Sequence, residues 1–158
     1  MLIGVDASRT TRARRTGTEA YALALTRGLL ELPTPHRWRL YFNEAPPAGT
    51  WPMRAGVELR VIPWPRVWTH LRLSLEMATA PPEVFFTPAH VIPLIAPRRC
   101  VATVHDLGYR YFPEAHPPAA RRYLDWSTRY HARRATLLLA DSEATAGDLQ
   151  RFYGAPAS

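Results

Sequence analysis

Short apolar runs alternate along this chain with longer stretches whose apolar residues recur every three or four positions. Leu2–Val5 is the first run, unbroken enough for a buried strand. From Thr18 to Leu32 the period changes. Tyr21, Leu25, Leu29 and Leu32 form one helical stripe, which Pro33 and Pro35 end. Arg37–Phe42 alternates as a strand, and Pro46, Pro47 and Gly49 then mark a loop. Val57–Ile62 is a third strand, with Val57, Leu59 and Val61 alternating. A second helix is expected from Val67 to Ala80, with Val67, Leu71, Leu75 and Ala78 on one face and Pro81 and Pro82 closing it. Val84–Thr87 and Cys100–His105 are strands separated by a proline-punctuated loop carrying His90. Pro117 and Pro118 suit a helix start, where a missing N–H costs nothing, and that helix runs to Ala135. Thr136–Ala140 is a last strand, and Ser142 caps a final helix that ends near Gly154.

Continuously apolar strands separated by amphipathic helices indicate βαβ units and a mostly parallel sheet covered on both faces. The expected fold is therefore an α/β, Rossmann-like doubly wound parallel sheet. A length of 158 residues favours one domain, 1–158. In such sheets ligands bind beyond the carboxyl ends of the strands. The stretch VATVHDLGYRYFPE places His105 and Asp106 at such an end; Asp6 and Asp141 follow the first and last strands.

Composition narrows the picture further. There is no run of about 18 apolar residues, so no membrane-spanning helix is expected, and MLIGVDAS reads as a strand rather than a signal peptide. Cys100 is the only cysteine, which rules out an internal disulfide and fits a cytosolic setting; inside an apolar run it reads as a buried, inert thiol. All 20 basic residues are arginines against 13 acids, a formal charge of +7 that attracts phosphates of nucleotides, nucleic acids or lipid headgroups without choosing among them.

Three places could carry chemistry. In SRTTRARRTGTE, residues 8–19, Thr16 and Glu19 have capping-box spacing, and Gly17 and Thr18 fall in a first helical turn whose amides lack intrahelical acceptors. Arg9, Arg12, Arg14 and Arg15 surround that turn, so it is either an anion site or a basic loop ahead of a capped helix. It is neither a GxGxxG fingerprint nor a Walker loop. His105 could donate to a sugar hydroxyl or take a proton; alternatively a backbone carbonyl satisfies it while Asp106 caps the loop. No second ligand shows metal-binding spacing. In PPAARRYLDWSTRYHARRA, Ala119, Tyr123, Trp126 and Tyr130 form one stripe, and Arg122, Arg129 and Arg133 another. That helix is either solvated or suited to an anionic membrane surface. ADSE, residues 140–143, is a helix cap with or without a role as a polar ledge.

Taken together, the ordered pieces LIGVDASRTTRARRTGTEAYALALTRGLLEL, EVFFTPAHVIPL, VATVHDLGYRYFPE, RRYLDWSTRYHARRA and LLLADSEATAGDLQRFYGAP resemble the N-terminal half of GT-B glycosyltransferases, in particular the retaining enzymes of glycosyltransferase family 4. Residues 37–82 match only in pattern. The resemblance implies an acceptor-side domain that closes over a nucleotide diphosphate sugar held mainly by a C-terminal donor-binding domain. That second domain and its acidic pair are absent from these 158 residues, which reads as an excised domain, a truncated frame or half of a split enzyme, inactive alone. The resemblance also implies residue roles. Thr16, Gly17 and Thr18 approach the donor diphosphate, His105 contacts the transferred sugar, and Asp106 shapes the same pocket. His90, Ser142 and Glu143 line the cleft. No metal or other cofactor is expected. The implied partners are the nucleotide-sugar donor, a sugar or lipid-linked acceptor, a C-terminal half, and the inner face of a membrane touched peripherally. The alternative is a non-catalytic basic domain for nucleic acid or anionic membrane. Its nucleic-acid form is disfavoured because the aromatics sit at core spacing rather than as a stacking platform.

Overall fold

A computed structural model describes residues 1–156 except Ala13, Arg15 and His90. Six strands form one all-parallel sheet: β1 (Leu2–Asp6), β2 (Arg37–Phe42), β3 (Val57–Val61), β4 (Val84–Thr87), β5 (Arg99–Val104) and β6 (Leu137–Ala140). Among the described residues five α-helices accompany them: α1 (Gly17–Glu31), α2 (Ser74–Thr79), α3 (Gly108–Tyr111), α4 (Pro118–Arg134) and α5 (Glu143–Tyr153). The spatial order β3-β2-β1-β4-β5-β6 is that of a doubly wound, Rossmann-like sheet. The winding reverses between β1 and β4, so the crevice at their carboxyl ends is the topological switch point. No helix among the described residues is long and apolar enough to cross a membrane.

Because neighbouring strand residues point to opposite faces, each strand feeds two cores. Val5, Leu40, Phe42 and Phe86 pack with Leu23 and Leu30 of α1. Tyr41, Phe85, Cys100 and Ala102 pack on the other face with Leu73 and Met77. A third cluster, Val104, Leu107, Tyr109 and Leu149, seats α5 beside the β5–β6 end. Cys100 is fully buried, and its Sγ donates to Pro97 O at 2.8 Å. Burial pushes its thiol pKa up, against nucleophilic use.

Two helical faces differ from the pattern read in the sequence. On α1 the buried residues are Glu19, Ala22, Leu23, Thr26 and Leu30; Leu25 and Leu29 only flank the core, and Leu32 is exposed. The segment is apolar on two sides, and the sheet takes the one with small residues, which lets the helix approach closely. The second helix departs more. Trp68 begins a π-helical turn over Thr69–Leu73 before α2, and the extra residue rephases the face. Trp68, Leu73 and Met77 enter the core, while Val67, Leu71 and Leu75 are 60%, 53% and 56% exposed.

A close approach at the sheet's centre depends on Gly4. A Cβ there would lie 2.7 Å from Pro82 Cγ and 2.8 Å from Tyr41 Cε2. The missing side chain of β1 is thus what lets the α2–β4 turn and the Tyr41 ring close over the strand.

Candidate functional site

Two cavities open along the carboxyl edge of the sheet, on either side of the switch point. The larger, 760 Å³, lies over the ends of β1, β2 and β3 and is bordered by Arg9, Arg12, Arg14, Asn43, Arg66 and Trp68. The smaller, 340 Å³, lies over β4 and β5 and is bordered by Val91, His105, Asp106, Tyr109, His116 and His131. Arg9 and Tyr123 border both.

His105 leaves β5 at this edge and is held from three directions. Its Nε2–H donates to Pro88 O, just after β4, at 2.9 Å. Its Nδ1 lies 3.0 Å from Asp141 Oδ2, just after β6. Tyr21 of α1 meets the ring edge-on, with centroids 4.9 Å apart. One imidazole therefore links the ends of three adjacent strands and the second turn of α1. The backbone is fixed as well, since Thr145 Oγ1 donates to His105 O at 3.0 Å.

Asp106 is exposed, and its Oδ1 accepts from Gly108 N at 2.8 Å, turning the chain into α3. Ser142 is the α5 cap, accepting from Thr145 N at 3.1 Å, and Glu143 is an exposed first-turn residue. Neither Ser142 nor Glu143 borders the two cavities; Asp141, one residue earlier, is the group that reaches His105. His90 lies outside the described residues.

The start of α1 has the geometry its spacing predicts. Glu19 Oε2 accepts from Thr16 N at 2.8 Å, completing the capping box. The Thr16 N–H, aided by Arg12 and Arg9, holds the Glu19 carboxyl below its ordinary pKa despite burial. Thr16 and Gly17 are exposed, Thr18 is half-buried, and a Cβ at Gly17 would meet nothing within 4 Å. The first turn of this helix is therefore open around Gly17 and lies beside rather than inside the two cavities.

Asp6, at the end of β1, is 2% exposed. Ser8 donates to its Oδ1 from both N (3.0 Å) and Oγ (2.6 Å), while Oδ2 has no partner among the described residues. Burial raises its pKa, a penalty that the Ser8 hydrogen bonds and Arg9 only partly offset. His131, deep beside the smaller cavity, accepts from Ile92 N at 3.0 Å and braces the β4–β5 connection. Among the described residues no cluster of three or more His, Cys, Asp or Glu side chains could hold a metal ion.

Sequence reasoning passed over the far wall of the larger cavity. Asn43 and Glu44 follow β2, and PWPRVW, residues 63–68, follows β3. The signal was present, an arginine between tryptophans just beyond a strand's carboxyl end.

Fold and site together define a doubly wound α/β domain with its hollows at the ligand edge. Comparison with protein-family models, curated proteins and solved structures found no match to this chain.

Proposed function

We propose that the chain is the acceptor-side domain of a retaining GT-B glycosyltransferase, one that moves a hexose from a nucleotide diphosphate sugar. The observation that carries this reading is that the His105 imidazole and the start of α1 stand on one carboxyl rim of the sheet, with Tyr21 of the second turn of α1 edge-on against the ring. A sugar bound over His105 would take the place of the Pro88 carbonyl as acceptor for Nε2–H. Its diphosphate would then lie toward Gly17 and Thr18, whose amides have no intrahelical acceptor and, with Arg9, oppose the charge that develops on the leaving group. Asp141 holds the ring's orientation for that contact.

Alignment of donor and acceptor can supply about 7–11 kcal/mol of barrier lowering, and half a cleft cannot provide it. Alone, the domain is therefore expected to be inactive. The test joins it to a C-terminal donor-binding half and measures hexose transfer from a panel of nucleotide diphosphate sugars. Transfer is expected from at least one donor, reduced by His105→Ala and by Gly17→Val, whose methyls fill the open space an anion would enter. Absence of transfer with every donor, or full activity in both variants, overturns the reading.

A further inference from the structure

The larger cavity carries a charge pattern that the reading above leaves unused. Four guanidiniums border it, those of Arg9, Arg12, Arg14 and Arg66. Glu19 pairs with Arg9 at 3.9 Å and with Arg12 at 3.5 Å. Glu44, the one carboxylate on the wall, accepts from Thr11 Oγ1 at 2.7 Å. Arg14 and Arg66 have no ion pair among the described residues, and both are exposed, the first between β1 and α1 and the second after β3. With Glu19 and Glu44 set against the four arginines, about two positive charges stay uncompensated, which matches the −1.5 to −2 of a phosphate monoester at neutral pH.

The uncharged groups point to what the phosphate is attached to. Among the described residues, Asn43 Oδ1 and His70 Nδ1 are both buried without a hydrogen-bond partner. Burial holds the His70 pKa down and so favours the neutral ring, and Nε2 is already engaged with Tyr123 OH at 2.9 Å. A buried acceptor without a donor is costly, and hydroxyl groups of a ligand are natural donors. Trp68 is locked by its Nε1–H to Ile62 O at 2.7 Å, whereas Trp64 is half-exposed and presents an apolar ring beside the arginines. The wall itself is built under strain. Val67 sits at φ 47°, a left-handed conformation that a β-branched residue rarely adopts, and the π turn follows directly.

We propose that this cavity binds the phosphate monoester of a hydroxylated molecule, with Arg14 and Arg66 clamping the phosphate and Asn43 and His70 receiving hydroxyls. This rests on the glycosyltransferase reading only in making that molecule the acceptor; the binding itself needs neither a donor nor a second domain. A soluble sugar phosphate and a phosphorylated lipid headgroup share the chemistry.

The test titrates the 158-residue chain with glucose 6-phosphate, inorganic phosphate and glucose by calorimetry, following the Trp64 and Trp68 indole N–H signals by NMR. It also measures sedimentation with phosphatidylcholine vesicles with and without phosphatidic acid. Glucose 6-phosphate is expected to bind at least about tenfold more tightly than phosphate or glucose and to shift both indoles, with Arg14→Gln plus Arg66→Gln weakening it by about tenfold or more. Circular dichroism of this surface variant should remain that of the parent. Vesicle recruitment that requires phosphatidic acid and is competed by glucose 6-phosphate assigns a lipid source, and binding of the soluble ester without recruitment assigns a soluble one. No binding of either ester, or binding indifferent to the double substitution, overturns the proposal. Ester binding without sugar transfer in the joined enzyme removes only the glycosyltransferase reading. Transfer to unphosphorylated acceptors with no ester binding removes only this inference.

Discussion

His105 and Asp141 meet at 3.0 Å across the gap between the ends of β5 and β6, two residues separated by 36 positions. The imidazole and the carboxylate are only partly covered, at 17% and 34% side-chain exposure, so solvent weakens their attraction. A double-mutant cycle with His105→Ala and Asp141→Asn should give a coupling of about 0.5–1 kcal/mol. Urea unfolding of the four proteins measures it. Strict additivity would mean that the contact orders nothing.

Gly4 should be intolerant of even one methyl group. Its Cβ would collide with the Pro82 ring and the buried Tyr41 ring, both well inside contact distance. Gly4→Ala should cost about 1–3 kcal/mol by overpacking, a fall in Tm of several degrees for a domain of this size. Gly28→Ala, in a helix and with nothing within 4 Å, is the control and should leave Tm unchanged or raised.

The two buried carboxylates near the rim should respond to pH with opposite signs. Glu19 is held low by the Thr16 N–H, so its stabilisation is complete above the unfolded value of about 4.3 and disappears as pH falls through the lower folded value. Asp6 is held high by burial. The unfolded chain releases this proton first, so stability declines as pH rises from about 3.9 through the raised folded value. Glu19→Gln should therefore be destabilising at pH 7 and flatten the acid limb. Asp6→Asn should abolish the decline on the rising side and be no less stable than the parent at pH 7. Denaturant midpoints taken across that range decide both signs; a destabilised Asp6→Asn at pH 7 would show that the charged form has a partner.

The backbone at Val67 stores strain that its side chain does little to repay, since it is 60% exposed. Asparagine accepts left-handed φ readily, and Val67→Asn should raise stability by roughly 0.5–1 kcal/mol. A lowered midpoint would mean that the valine supports the π turn by a contact worth more than the strain.

The strands were legible because a parallel sheet buried on both faces demands largely apolar runs, and Leu2–Val5, Val84–Thr87 and Cys100–His105 supplied them, the last running one residue beyond the observed Arg99–Val104 at its carboxyl end. Helical faces were not. Between Val67 and Ala80 the apolar spacing fits a regular helix, but the π turn shifts the register and sends Leu71 and Leu75 to solvent while Trp68 and Met77 go inward. No local pattern announces that extra residue. At the site, His105 and the Thr16–Glu19 box stood out because they combine a position and a spacing. Asp141 as the ring's partner, and Asn43 and Arg66 as one wall, sit just after successive strands that a helix or a long loop separates in sequence, so only the parallel pairing of β5 with β6 and of β2 with β3 brings their ends together.

Arg9 borders both hollows, and one guanidinium has five N–H groups in a single plane to share between guests on its two sides. If each occupant draws on those donors, filling one chamber loosens the other's hold by a factor that is necessarily identical in the reverse direction. Two ligands that never touch would then sense each other through a single side chain at the seam of the sheet.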